Sequence, residues 1–115
     1  MLKITKEERQ YRVELFQVNR FNTLCSELVR QQLQELVEEP GTTVVFNLEG
    51  IQFIDTAGFQ VLEDISNYSR NCGSQFKLCN VSEEVSELIL LLDLDESFTV
   101  CACENVGEKI LLVLD

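Results

Sequence analysis

The pattern of apolar and polar residues along this chain predicts five β-strands. The first two, residues 2–5 and 10–18, are separated by the polar residues 6–9, which suits a hairpin connection. The second segment alternates apolar and polar side chains, as expected of a strand with one buried face. Residues 43–48 lack this alternation, which is typical of a central strand covered on both faces. The remaining predicted strands are residues 75–79 and 98–103.

Apolar residues at helical spacing predict two helices in the first two thirds of the chain. The first follows Asn22, a residue type that caps helix N-termini, and ends before Pro40-Gly41. The second spans residues 56–72 and is closed by Gly73. The predicted buried stripe of the first helix is Leu24, Cys25, Leu28, Val29, Leu33, Leu36 and Val37.

Two further helices are predicted in the last third. Ser82 with the acidic residues that follow it makes an N-cap and first turn, opening a helix that ends near residue 92. We expect its apolar run, residues 88–92, to belong to the helix core, with the extra leucines available for a dimer contact. Asn105 caps a short last helix, whose apolar side is Val106, Ile110, Val113 and Leu114.

The element order is therefore β-β-α-β-α-β-α-β-α, which belongs to the α/β class. Strand-helix-strand crossovers favour parallel neighbours, and the opening hairpin contributes an antiparallel strand. We predict one domain over residues 1–115, with a mixed sheet of about five strands and helices mainly on one face. A chain of 115 residues is long enough to bury such a core.

The charge of the chain narrows its partners. A net charge of −11 makes nucleic acid and anionic membrane surfaces poor partners. The apolar runs are too short to span a bilayer, and the first residues lack the apolar core of a signal peptide, so we expect a cytoplasmic protein without membrane insertion. A protein partner with a basic or mixed surface fits better.

The side chains available for chemistry argue against an enzyme. The chain has no histidine, the commonest general base, and no phosphate-binding loop or nucleophile elbow. Its five cysteines include no Cys-x-x-Cys pair, so we expect free thiols and no metal site. The acidic residues Asp93, Asp95 and Glu96 are interpreted as a solvated connection. We expect neither a cofactor nor intrinsic catalysis.

Residues 53–59 link the predicted central strand to the second helix, and two interpretations of them remain open. In one, Asp55 or Thr56 is simply an N-cap that accepts a hydrogen bond from the first turn. In the other, the Thr56 hydroxyl is presented to a partner or a kinase, because Ala57 and Gly58 leave little bulk around it. A phosphate on Thr56 would meet the positive end of the helix dipole.

Residues 44–62, with the sequence VVFNLEGIQFIDTAGFQVL, resemble the STAS domain and, within that family, the bacterial anti-sigma factor antagonists. The family pattern is an apolar strand, a short loop, Asp-Ser-Ser/Thr-Gly and an apolar helix. Length and element order fit over nearly the whole chain. The resemblance implies that Thr56 is the phosphoacceptor, because the acceptor hydroxyl directly follows the aspartate.

The resemblance also implies a partner-switching cycle. The unmodified domain would bind an anti-sigma factor, a serine/threonine kinase of the GHKL type, and so release a sigma factor. Phosphorylation would eject the domain, and a phosphatase would reset it. The domain itself would act as a monomer or weak dimer. The expected partner-binding residues are Phe53, Ile54, Asp55, Thr56, Ala57, Gly58, Phe59, Asn19 and Arg20.

Several residues depart from the family pattern. Thr56 stands where serine is commoner, Ala57 replaces a frequent second hydroxyl, and Gln60 replaces a frequent second glycine. Residues 17–21 replace a Gly-Glu-Leu-Asp loop that lies near the switch site in many members. The Asp-Thr pair followed by small residues also resembles the STAS subunit of bacterial lipid-transport ABC complexes, which docks on the ATPase. That subunit, or an orphan interaction module, is the alternative.

Overall fold

Six strands form the main sheet of the computed structural model, which describes residues 1–101 and 109–114. Two further strands of two residues each, β3 and β5, form a small separate ladder. The strands are β1 Leu2–Glu7, β2 Gln10–Leu15, β3 Arg20–Phe21, β4 Thr43–Asn47, β5 Phe53–Ile54, β6 Gln75–Cys79, β7 Thr99–Cys101 and β8 Lys109–Leu114.

The order of strands across the main sheet is β7-β6-β4-β2-β1-β8. β1 and β2 form the predicted hairpin, in which Leu2 is opposite Leu15. β2, β4, β6 and β7 run parallel, and β8 pairs antiparallel with β1. Within β4, Val44 and Phe46 on one face and Val45 on the other are all buried, so both faces of this strand are covered. The α/β class and the mixed sheet with a central β4 are thus confirmed.

Three helices lie in the described residues: α1 Thr23–Val37, α2 Thr56–Cys72 and α3 Glu83–Leu91. The Asn22 side chain caps α1 by accepting a hydrogen bond from the Leu24 N–H. Gly73, in the left-handed conformation at φ 77°, ends α2 as predicted. α1 packs beside α2, and the Arg30 guanidinium contacts the Asp64 carboxylate at 2.7 Å between them.

The predicted last helix is wrong. Ile110, Val113 and Leu114 lie in strand β8, while Asn105 and Val106 lie outside the described residues. β1 explains the difference, because its free edge offers a row of backbone donors and acceptors that a helix could not satisfy. The strand predicted at 98–103 begins one residue later, at Thr99, and is described as far as Cys101; residues 102 and 103 lie outside the described part.

The cysteines and the leucine run also differ from expectation. Cys25, Cys72 and Cys101 are free thiols, but Cys79 is disulfide-bonded. The sequence did not predict this bond, because disulfide formation depends on the distance between Cα atoms, which sequence spacing does not give. In the 88–92 run, Ile89 is buried, whereas the three leucines after it are mostly exposed. The described residues include no cluster of three acidic or cysteine side chains placed to hold a metal ion, and no helix there is long and apolar enough to cross a membrane.

Candidate functional site

The short ladder between β3 and β5 brings two distant segments together. Arg20 pairs with Phe53, and Phe21 pairs with Ile54, in parallel register. Just before β5, the Gln52 N–H donates to the Asn19 carbonyl at 2.8 Å. Because α1 begins directly after β3 and α2 directly after β5, the N-termini of both helices lie side by side.

Asp55 fixes these two helix ends with one carboxylate. Its Oδ1 accepts a hydrogen bond from the Gly58 N–H at 2.8 Å, which makes Asp55 the N-cap of α2. Its Oδ2 accepts from the Thr23 N–H and the Thr23 hydroxyl, both at 3.1 Å, at the first residue of α1. The bond from Gly58, together with those from Thr23, outweighs partial desolvation and lowers the pKa of Asp55 below its usual 3.8.

Thr56 is the first residue of α2, and its side chain is exposed. The capping role that the sequence left open between two residues belongs to Asp55, so the Thr56 hydroxyl is not used for it. That hydroxyl makes no hydrogen bond to the residues that the structure describes. It therefore stands at the positive end of the α2 dipole, accessible to a macromolecule.

Gly58 allows the first turn of α2 to pack against β3. A Cβ added at this residue would lie 2.7 Å from the Phe21 carbonyl oxygen and 2.7 Å from Cγ2 of Ile54. The sequence suggested that Gly58 leaves space around the Thr56 hydroxyl, whereas in the structure the missing side chain of Gly58 makes room for the Phe21 carbonyl and the Ile54 side chain. Gly58 thus allows the close packing that positions the first turn of α2, which carries Thr56, against β3.

The structure divides the nine predicted contact residues by exposure. Asn19, Arg20, Phe53 and Thr56 are exposed, and Asp55 and Ala57 are half-buried. Ile54 and Phe59 are only 2% and 3% exposed, so they belong to the core, and Gly58 is also buried. The side chains of Ile54 and Phe59 fill the junction between β5 and α2, and Gly58 has no side chain, so these three residues present no exposed side chain to a partner in this conformation.

Arg20 and Phe53 form a pair on the exposed side of the ladder. The guanidinium carbon of Arg20 lies 5.6 Å from the centroid of the Phe53 ring, within the range of a cation–π contact. Phe53 is 42% exposed, so the ring keeps a free surface beside the charge. Arginine and aromatic residues are the types enriched at protein interfaces.

Two exposed residues of this region, Thr23 and Leu24, were not among the predicted contact residues. Leu24 is 95% exposed, although helical spacing placed it in the buried stripe of α1. Its position directly after the first residue of the helix, where Asn22 caps its N–H, was the signal that it lies at the helix end. Leu24 lines a shallow cavity of about 330 Å³ together with Asn19 and Arg20. We call the exposed residues here the Thr56 face: Asn19, Arg20, Thr23, Leu24, Phe53 and Thr56, with half-buried Asp55 and Ala57.

With this geometry in place, comparison with known proteins identifies the fold family. The family model for the STAS domain matches residues 13–108. The chain belongs to the STAS domain family. No functionally curated protein matches the sequence.

Solved structures share this STAS fold. An anti-sigma-factor antagonist (STAS) domain protein from Planctomyces limnophilus has a TM-score of 0.77 at 18% identity, covering 90% of this chain and 91% of its own. The phosphorylated form of the Bacillus cell fate determinant SpoIIAA has a TM-score of 0.67 at 14% identity, covering 88% and 91%. The murine anion transporter Slc26a9 has a TM-score of 0.65 at 21% identity, covering 83% of this chain and 16% of the transporter.

Proposed function

We propose that this STAS domain is an anti-sigma factor antagonist that works by partner switching, with Thr56 as the phosphoacceptor. The observation that carries the proposal is the exposed Thr56 hydroxyl, left free of capping by Asp55 at the start of α2. Structural neighbours that are anti-sigma factor antagonists support it, and structures of one of them, SpoIIAA, exist in both the unphosphorylated and the phosphorylated form.

In this proposal the unmodified Thr56 face binds an anti-sigma factor that is also a GHKL-type serine/threonine kinase, and a sigma factor is released. The kinase then transfers the γ-phosphoryl group of ATP to the Thr56 oxygen, which loses its proton, and ADP leaves. A phosphatase hydrolyses the phosphate ester and restores the hydroxyl. The STAS domain works in the cytoplasm as a binding module, without a cofactor or chemistry of its own.

The electrostatics of the site explain how one phosphate can break the contact without unfolding the domain. Phosphorylation adds roughly two negative charges. The α2 dipole stabilises them locally, because Thr56 is the first residue of the helix. The partner, however, meets that charge next to the Asp55 carboxylate, whose low pKa keeps it ionised at neutral pH. The charge and bulk of the phosphate therefore weaken the contact with the partner without disturbing the core of the domain.

Intact-mass spectrometry after incubation with the kinase and ATP tests the proposal. We expect a gain of one phosphate, abolished by Thr56→Ala. Thr99→Ala is the matched control, because Thr99 is also exposed but lies on β7, away from the ladder. A phosphate retained in the Thr56→Ala protein would reject Thr56 as the acceptor.

The STAS subunit of a lipid-transport ABC complex is the second candidate function. It is favoured by the structural likeness to Slc26a9, in which a domain of this fold is part of a membrane transporter. The same Thr56 face would then dock on an ATPase, without a phosphorylation cycle. Pull-down from the native host separates the two candidates: recovery of an ABC ATPase supports the transporter, and recovery of a kinase supports the antagonist. Recovery of neither leaves an orphan interaction module.

A further inference from the structure

The end of α3 exposes three consecutive leucines. Leu90, Leu91 and Leu92 are 62%, 80% and 52% exposed, and we call them the leucine patch. α3 packs on the rest of the fold through Val85 and Ile89, while Leu90 and Leu91, beside Ile89 in the last turn, are exposed. Single exposed leucines are common on protein surfaces, but three within one helix end place exposed apolar area around that end, and exposed apolar patches mark interaction sites.

Acidic residues border the leucine patch on both sides. Glu87 lies one turn before Leu91, and helical spacing places Glu83 and Glu84 on the faces of Leu90 and Leu91. The chain beyond the patch is also acidic and exposed. The acidic border consists of Glu83, Glu84, Glu87, Asp93, Asp95 and Glu96.

Positive charge is scarce around the patch. From residue 80 to residue 101 the sequence contains no lysine or arginine. Arg70 of α2 reaches only the end of this segment, where its Nη2 donates to the Ser97 carbonyl at 3.4 Å. The acidic border therefore has no neighbouring cation in its own sequence segment to neutralise it.

The exposed leucines and their acidic border together indicate which kind of partner fits the leucine patch. A second copy of the chain would bring two acidic borders together, and like charges placed across an interface cost affinity. An anionic lipid surface would be repelled for the same reason. A helix with leucines on one face and lysines or arginines beside them buries the leucine patch and pairs the border. We propose that the leucine patch is a docking surface for a basic amphipathic helix of a partner protein.

This docking surface is separate from the Thr56 face. α2 and α3 both begin near the carboxyl ends of the parallel strands β4 and β6. α3 then runs back towards the amino end of β7, and the leucine patch is at that far end of the helix. The leucine patch and Thr56 therefore lie towards opposite ends of the parallel strands.

Fluorescence anisotropy with a labelled synthetic helix, leucine on one face and lysine on the other, tests the proposal. We expect saturable binding that is lost when the lysines are replaced by glutamates. Leu91→Ser weakens binding about tenfold, because it removes most of one buried leucine from the contact. The matched control is Val113→Ser, since Val113 is an exposed apolar residue on β8, at the opposite edge of the sheet from β7. Val113→Ser leaves the affinity within about twofold.

Three results would overturn the proposal. One is the absence of saturable binding of the lysine helix. Another is equal affinity for wild-type and Leu91→Ser protein, because general attraction to a chain of net charge −11 would then explain the signal. The third is a dimer in analytical ultracentrifugation that Leu91→Ser dissociates, since a second copy would then occupy the patch. Circular dichroism checks that Leu91→Ser remains folded.

Discussion

At the residue scale, Asp55 does the most to define the site. Its carboxylate caps α2 through the Gly58 N–H and holds the first residue of α1 through Thr23. The sequence suggests that Asp55 is an N-cap of α2. Its contact with the start of α1 could not be predicted, because the fold brings Thr23 close to it. The same residue leaves the neighbouring Thr56 hydroxyl unused, so structural and regulatory roles are divided between adjacent side chains.

We expect Asp55→Ala to lower the free energy of unfolding by about 1–2 kcal/mol, the range for a lost N-cap. Asp55→Asn should cost less, because an amide oxygen still accepts the Gly58 N–H. Urea denaturation at neutral pH measures both. Asp95→Ala is the control, since Asp95 is exposed, and it should change stability by less than about 0.5 kcal/mol. Equal effects of the two alanine variants would contradict the double capping role.

The low pKa of Asp55 also predicts a pH dependence. A carboxylate with a folded pKa below the unfolded 3.8 stabilises the fold fully above 3.8, and this stabilisation is lost as pH falls through the folded pKa. The difference in stability between wild-type and Asp55→Asn protein should therefore be constant near neutral pH and shrink below 3.8. Urea titrations over this range measure it. A difference that grows on acidification would be inconsistent with the hydrogen bonds to ionised Asp55.

Gly58→Ala should destabilise the domain by about 1–3 kcal/mol, although alanine is the better helix former. The added methyl would lie 2.7 Å from the Phe21 carbonyl oxygen, and backbone cannot move aside easily. Gln60→Ala, at an exposed position of the same helix, is the control. Thermal unfolding measures both variants. A rise in stability for Gly58→Ala would show that α2 does not pack this closely on β3.

At the element scale, the β3–β5 ladder separates binding from stability on its two faces. Phe21 is fully buried, and its ring packs edge-on against Phe46 with centroids 5.7 Å apart. Phe53, on the neighbouring strand, is 42% exposed beside Arg20. The ladder is only two residues long in each strand, yet it sets the position of both helix N-termini.

Phe53→Ala should weaken binding of the anti-sigma factor kinase while changing stability by less than about 1 kcal/mol. Phe21→Ala should instead cost about 3–5 kcal/mol of stability, because it leaves a cavity in the core. Calorimetric titration and urea denaturation of the two variants measure these effects. A Phe53→Ala protein that binds the kinase like the wild type would remove the ladder from the interface.

The elements predicted from sequence are those whose pattern is local. The period of α2, its closing Gly73 and the unbroken apolar core of β4 all gave the observed bounds within a residue. β8 failed because Ile110 to Leu114 suits a helix or a strand, and the edge of β1 decides between them. Exposure failed for the same reason at Ile54 and Phe59: a residue beside a loop is buried or exposed according to what packs on it, here the first turn of α2.

At the scale of the whole molecule, an acidic domain presents two surfaces of different chemistry. The Thr56 face combines an arginine, an aromatic ring and a free hydroxyl, whereas the leucine patch is apolar within an acidic border. The net charge of −11 favours the basic partner proposed for the leucine patch by long-range attraction. Switching by phosphorylation involves the Thr56 face alone. A variant that mimics the phosphate should therefore change binding at this face without changing the stability of the fold.

Titration calorimetry of the anti-sigma factor kinase with wild-type and Thr56→Asp protein gives the most direct measurement. We expect the wild type to bind and Thr56→Asp to bind at least about tenfold more weakly, through the charge added at the interface. The free energy of unfolding should stay within about 0.5 kcal/mol, because an acidic residue suits the first turn of a helix. Equal kinase affinity for the two proteins, with both folded, would contradict control of the Thr56 face by phosphorylation.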